Sequence, residues 1–212
     1  MNFSSYSNFR VAVQQLIDGD DISQSDLSVE VLDLLIAMGE RRIYREVRSS
    51  TQDTAFSLTT TNNLVTLPSD FIELKGPPFV ATFQVCEYVA WEVIQNSINL
   101  LVNLNGTFPG SPIYFSYQND QILFYPQQPD ATVVTGQYYK KFADISLGVL
   151  NALFTRHPDL FVYAALAESG PFLGELTRLP IWKESYFNLL QGVNDEERRR
   201  YKGRGKLQTK VA

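Results

Sequence analysis

The chain has little of what most enzymatic and metal chemistry requires. Its 212 residues include one cysteine and one histidine. A lone Cys86 excludes an intrachain disulfide and a cysteine metal cluster, and it points to synthesis in a reducing place such as a cytoplasm. With no histidine nearby in sequence, Cys86 reads as a core residue. One histidine cannot build a histidine-rich metal site. His157 stands just before Pro158 and reads as a helix-start residue, with a lone general base as the remote alternative. No apolar run reaches the roughly 20 residues that span a bilayer. Met1 to Tyr6 has no basic stretch followed by an apolar one, so no secretory signal is expected. No glycine-rich phosphate loop follows a strand, since Gly203-x-Gly205 lies near the end of the sequence. Asp18, Asp20, Asp21 and Asp26 cluster, but without the twelve-residue calcium-loop pattern. The expectation is a protein with no catalytic residue, no metal site and no cofactor, and no enzyme.

What is present is a globular composition. The chain is 44% hydrophobic and 13% aromatic, enough for a real core. The net charge of −5 is unevenly placed. Residues 198–212 hold seven basic side chains and no acid, which leaves the body with 11 basic and 23 acidic residues, a net of −12. An acidic body argues against tightly held nucleic acid on that body. The basic end is compatible with nucleic acid, with acidic protein or with its own acidic neighbours.

Hydrophobic spacing divides the chain into three parts. A first helix starts at Ser5 or Ser7, presents Phe9, Ala12 or Val13, and Leu16, and runs to about Asp18. Asp20 to Asp26 reads as a loop. A second helix starts near Ser28, with Leu32, Leu35 or Ile36, Gly39, Ile43 and Val47 inward. Arg41, Arg42, Arg45 and Arg48 fall mostly off that face. They read either as a solvated, salt-bridged surface or as a subunit contact made through Arg–carboxylate forks.

From Thr54 the period becomes two. Residues 54–60 and 64–67 flank Asn62-Asn63 and read as a strand and its return. Residues 71–75 are extended again, and 80–85 form a short strand. Glu87 to Val102 reads as a helix, and Asn105 to Pro112 as a loop. Ile113 to Tyr117 and Gln121 to Tyr125 form a hairpin about Asn119-Asp120. Residues 132–142 form a longer strand. Tyr114, Tyr117, Tyr125, Tyr138 and Tyr139 read as cross-strand packing, or as a platform that stacks bases.

The third part begins with Pro158-Asp159, a helix start with proline at its first position and a carboxylate in its first turn. Gly170-Pro171 and Gly174 interrupt that helix. A last helix follows, with Leu176, Leu179, Trp182, Tyr186 and Leu189 or Leu190 inward, ending near Gly192. The expected fold class is α+β. The N- and C-terminal helix pairs (about 5–48 and 158–192) form a helical bundle. A β-rich insertion (about 54–145), a short sheet plus one helix, lies between them. Residues 1–197 are expected as a single domain and 198–212 as an extended basic arm that docks on a partner.

Three stretches resemble the head-to-tail adaptor (connector) proteins of tailed bacteriophages. They are Ile36-Ala37-Met38-Gly39-Glu40-Arg41-Arg42-Ile43-Tyr44-Arg45-Glu46-Val47-Arg48, then Leu64-Val65-Thr66-Leu67-Pro68-Ser69-Asp70-Phe71, then Pro158 to Leu166 with Pro171-Phe172-Leu173 and Trp182. With Ile122 to Pro126 they span nearly the whole chain in the family's order. Gly39 stands where the family pattern has alanine. The resemblance implies a structural virion protein of the neck. Copies form a ring, usually twelve-fold, beneath the portal. The ring extends the DNA channel, helps retain and eject the genome without sequence-specific binding, and docks the tail, nozzle or next neck protein. No membrane partner is implied. The C-terminal segment would reach the portal protein, which assigns Arg198, Arg199, Arg200, Tyr201, Lys202, Arg204, Lys206 and Leu207 to portal binding, and Arg41, Arg42, Arg45 and Arg48 to subunit contact. The competing reading is a basic-tailed nucleic-acid-binding protein that uses the sheet aromatics.

Overall fold

The computed structural model describes residues 3–18, 27–81, 84–94, 96, 113–174 and 177–202. It divides into two compact units: residues up to 51 together with those from 142 on, and residues 52–141.

The first unit is helical. Its helices are α1 (Tyr6–Asp18), α2 (Val29–Glu46), α3 (Ala152–Arg156), α4 (Pro158–Leu173) and α5 (Leu179–Lys202). Ser28 caps α2, its Oγ accepting from the Val31 amide at 3.4 Å, and Asn151 caps α3, its Oδ1 accepting from Phe154 N at 2.9 Å. Helix α4 is apolar all round and buries Leu160, Phe161, Val162, Ala164 to Ala167, Ser169 and Gly170. Such a helix must be covered on every side. Helices α1, α2 and α5 pack on it, and Phe9, Ile36, Ile43, Phe154 and Tyr186 fill the space between.

The second unit is a mixed sheet of eight strands: β1 (Asp53–Thr59), β2 (Leu64–Thr66), β3 (Phe71–Leu74), β4 (Phe79–Val80), β5 (Gln84–Tyr88), β6 (Ile113–Gln118), β7 (Gln121–Tyr125) and β8 (Val133–Lys140). The order is β1-β8-β4-β5-β6-β7-β2, with β3 sharing an edge of β8. Only β5–β6 is parallel among the described pairs. The two end strands, β1 and β2, lie side by side, so the sheet is nearly closed, like a barrel. Its own core holds Phe56, Val65, Val80, Cys86, Ile122, Phe124 and Val134.

This overturns the expected helical bundle with a short sheet. The error began at Asn62-Asn63. Both residues have positive φ, as a tight turn requires, and Thr61 bridges Leu64. The flanking strands do not form a hairpin ladder with one another: β1 pairs with β8 and β2 with β7. The turn is tied to the chain after β7. The Asn63 side chain donates to Phe124 O at 2.7 Å and accepts from Gln128 N at 2.8 Å, and Asp130 accepts from Asn62 N at 2.7 Å. Buried Thr60 donates to Pro129 O at 2.6 Å. The corner is held by long-range bonds, so its strands take distant partners.

Other boundaries also move. The expected helix from Glu87 is strand as far as Tyr88 and helical at 91–94, and most of its remainder lies outside the described residues, as does the Asp20–Asp26 loop. Helix α4 runs through Gly170-Pro171 to Leu173, because Pro171 falls in the last turn and the Gly174 amide closes that turn on Gly170 O. Helix α5 passes Gly192 and continues to Lys202, so the first five residues of the expected extended arm are helical. A Cβ at 192 would meet nothing within 4 Å, and i,i+3 and i,i+4 pairs from Asp195, Glu196 and Glu197 to Arg198 and Arg200 support the last turns.

Candidate functional site

The four arginines at 41, 42, 45 and 48, three in α2 and one just beyond its cap Val47, separate into two kinds. Arg42 is held inside the helical unit. Its Nε lies 3.3 Å from Glu46 and its Nη1 3.1 Å from Glu168 of α4. Its guanidinium sits 4.6 Å from the centre of the Tyr186 ring of α5. The Tyr186 hydroxyl donates to Glu46 Oε2 at 2.6 Å. Burial disfavours the Arg42 cation, but the bonds to Glu168 and Glu46 outweigh it and hold its pKa above the usual arginine value. Burial, then the Glu46 carboxylate, push the Tyr186 phenol up. Arg48 donates to the carbonyls of Tyr44 and Val47 and closes the end of α2. Arg41 and Arg45 are exposed and make no ion pair with a described residue.

A second polar cluster lies under α2. Buried Glu40 accepts from the Tyr44 hydroxyl and, at 2.7 Å, from the Ile145 amide. Asn151 donates to the Tyr44 oxygen at 2.6 Å and to Ala143 O at 3.0 Å. Every member is bonded, so the cluster fixes the chain at 143–151 against α2.

The predicted portal-binding residues divide as well. Arg200 reaches Glu196 and Glu197 and, at 3.4 Å, Ser50 Oγ. Glu197 is 5% exposed. It accepts from Ser49 Oγ at 3.0 Å and from the Ser50 amide at 2.9 Å. Burial works to raise its pKa, but the Ser50 amide, the hydroxyls of Ser49 and Ser50, and Arg200 prevail and hold it below the usual glutamate value. His157 Nε2 lies 3.6 Å from Glu196. The end of α5 is therefore anchored on residues 49–50 and on the start of α4. Arg198 and Arg199 are exposed, bound among the described residues to Asp195 alone, at 3.8 Å through its carboxylate and 3.3 Å through its carbonyl. Tyr201 and Lys202 end α5, while Arg204, Lys206 and Leu207 lie outside the described residues.

Sequence reading missed Glu40, Glu168 and Glu197. Glu197 belonged to a visible acidic run, but nothing local marked which of three carboxylates turns inward. Of the five sheet tyrosines, Tyr117 and Tyr138 pack against other rings. Tyr138 stacks on Phe71 at 5.5 Å and donates to Asp70 at 2.9 Å, and Tyr117 packs edge-on against Phe115. Burial, then the Asp70 bond, push the Tyr138 phenol up to about 12. No described helix is long and apolar enough to cross a membrane.

Carboxylates thus tie the helix ends, and Arg41, Arg45, Arg198 and Arg199 are left outward. A search of curated proteins returns no match. The family model described as SU10 adaptor protein matches residues 4–208, through both units and into the basic C-terminal segment. The chain therefore belongs to the SU10 adaptor protein family of phage head-to-tail adaptors, and its role is that of a structural phage adaptor.

Proposed function

We propose that this adaptor forms a ring in the virion neck, with twelve copies, which joins the portal to the tail, nozzle or next neck protein. The ring extends the DNA channel and serves genome retention and ejection. The observation that carries this reading is the family match over residues 4–208, which takes in both units and the basic end. The charge distribution supports it. A body with 11 basic and 23 acidic residues repels phosphate, which lets DNA slide rather than bind. In this reading residues 1–197 act as one adaptor domain and 198–212 dock on the portal. Arg200 roots the arm, and Arg198, Arg199, Tyr201, Lys202, Arg204, Lys206 and Leu207 make the contact.

The test is native mass spectrometry and electron cryo-microscopy of the chain mixed with its purified portal. The expected result is a ring on a ring. A small particle that ignores the portal and shifts DNA in a gel overturns the reading and favours nucleic-acid binding instead.

A further inference from the structure

Helix α2 leaves one face uncovered. Leu34, Met38, Arg41 and Arg45 follow one another at steps of four, three and four, so they share one side of the helix, opposite buried Leu32, Ile36, Gly39 and Ile43. Leu34 is 58% and Met38 42% exposed. Arg41 and Arg45 lie beside them with no ion pair to any described residue. Large apolar side chains flanked by uncommitted arginines have the make-up of an interface core and its rim.

The chain carries one surface of complementary make-up. Residues 52–141 hold seven carboxylates, three lysines and no arginine. On the outside of that barrel, Glu87 and Glu92 are exposed and make no ion pair with a described residue. Val93, 53% exposed, follows Glu92. Tyr88 turns to the other side of β5, its ring edge-on against buried Phe115 at 5.6 Å. Uncommitted carboxylates suit guanidinium groups by charge and by forked hydrogen bonds.

We propose that the α2 face of one copy docks on the acidic surface about Glu87, Glu92 and Val93 of the next copy. This rests on the ring reading above and assigns its subunit contact. Of the four arginines considered, only Arg41 and Arg45 take part, since Arg42 and Arg48 are engaged within their own chain. The two surfaces differ, so the contact is head-to-tail, the kind that closes into a ring.

Cross-linking tests it in the full chain. Met38→Cys and Val93→Cys proteins are treated with a bis-maleimide, separately and mixed. Cys86 is buried, and burial pushes its thiol up to about 11, which keeps it out of the reaction. The expected product is a cross-linked dimer in the mixture and far less in either protein alone. Dimer from Met38→Cys alone means that α2 faces pair with one another, and it overturns the proposal. Charge reversal gives the second arm, read by sedimentation with the portal present. Arg41→Glu/Arg45→Glu and Glu87→Lys/Glu92→Lys should each lose assembly at least tenfold. The two mixed should rebuild a ring of alternating copies, since every contact again joins opposite charges, and both changes in one chain should restore the ring as well. Assembly that survives each reversal overturns this contact and leaves the ring reading intact. A wild-type chain that builds no ring on its portal overturns both.

Discussion

Gly39 of α2 and Ala164 of α4 meet backbone to backbone. A methyl group built on Gly39 would lie 2.9 Å from the Ala164 carbonyl carbon and 2.8 Å from the Ala165 nitrogen. This accounts for the glycine at 39. In an open helix Gly→Ala gains up to about 1 kcal/mol. Here the new methyl strikes main chain that cannot step aside, and overpacking costs about 1–3 kcal/mol. Gly39→Ala is expected to lower the thermal midpoint, and so is Ala164→Leu. An unchanged midpoint in both proteins refutes the close approach.

Arg42 and Arg41 are neighbours in sequence with different expected effects. Arg42→Ala leaves Glu168 and Glu46 without their shared cation and uncovers the Tyr186 ring. The sites are partly exposed, so the cost is discounted to about 1–2 kcal/mol. Arg41→Ala is expected within about 0.5 kcal/mol of wild type. Urea unfolding of both variants checks the contrast, and equal midpoints contradict it.

Glu197 makes acid stability a local property. Its folded pKa lies below the ordinary value of 4.5, so its contribution is fully present above that pH and is lost as pH falls through the lower folded value. Wild type should lose stability in that acid window more steeply than Glu197→Gln, which starts weaker and changes less with pH. Parallel curves for the two proteins between pH 3 and 6 count against the Ser49–Ser50–Arg200 arrangement as the cause.

Removing 203–212 tests the arm apart from its root. The Glu196, Glu197 and Arg200 ties remain in that protein, so its thermal midpoint should match wild type while portal binding is lost. Cutting at 198 instead also removes Arg200 and should lower the midpoint. Portal binding should weaken as salt rises, since the Debye length falls from about 10 Å at 0.1 M to about 3 Å at 1 M. Unchanged portal affinity after removal of 203–212 moves docking elsewhere.

The hairpin about Asn119-Asp120 was legible because everything that specifies it is local: alternating side chains on both arms and a positive φ at Asn119. The Asn62-Asn63 turn sent the same local signal, yet its strands take other ladder partners, because Asn63, Asp130 and Thr60 bind across more than sixty residues. Local chemistry names a turn but not the strand's partner. The end of α5 failed for the opposite reason. Gly192 looked like a stop, but it lies in the open, where glycine only weakens a helix. Among the arginines, spacing put all four off the buried face. Which ones find carboxylates depended on Glu168 and Tyr186, far along the chain.

The two units also differ in how they are threaded. The barrel is one unbroken stretch, 52–141, whereas α1 and α2 are separated from α4 by that whole stretch. On a ribosome the barrel has all its strands once Lys141 has emerged. Helices α1 and α2 must wait, apolar faces uncovered, until α4 follows about 120 residues later. At roughly 5–20 residues per second that delay is several seconds to tens of seconds, which makes the first fifty residues the natural place for a chaperone to hold the nascent adaptor.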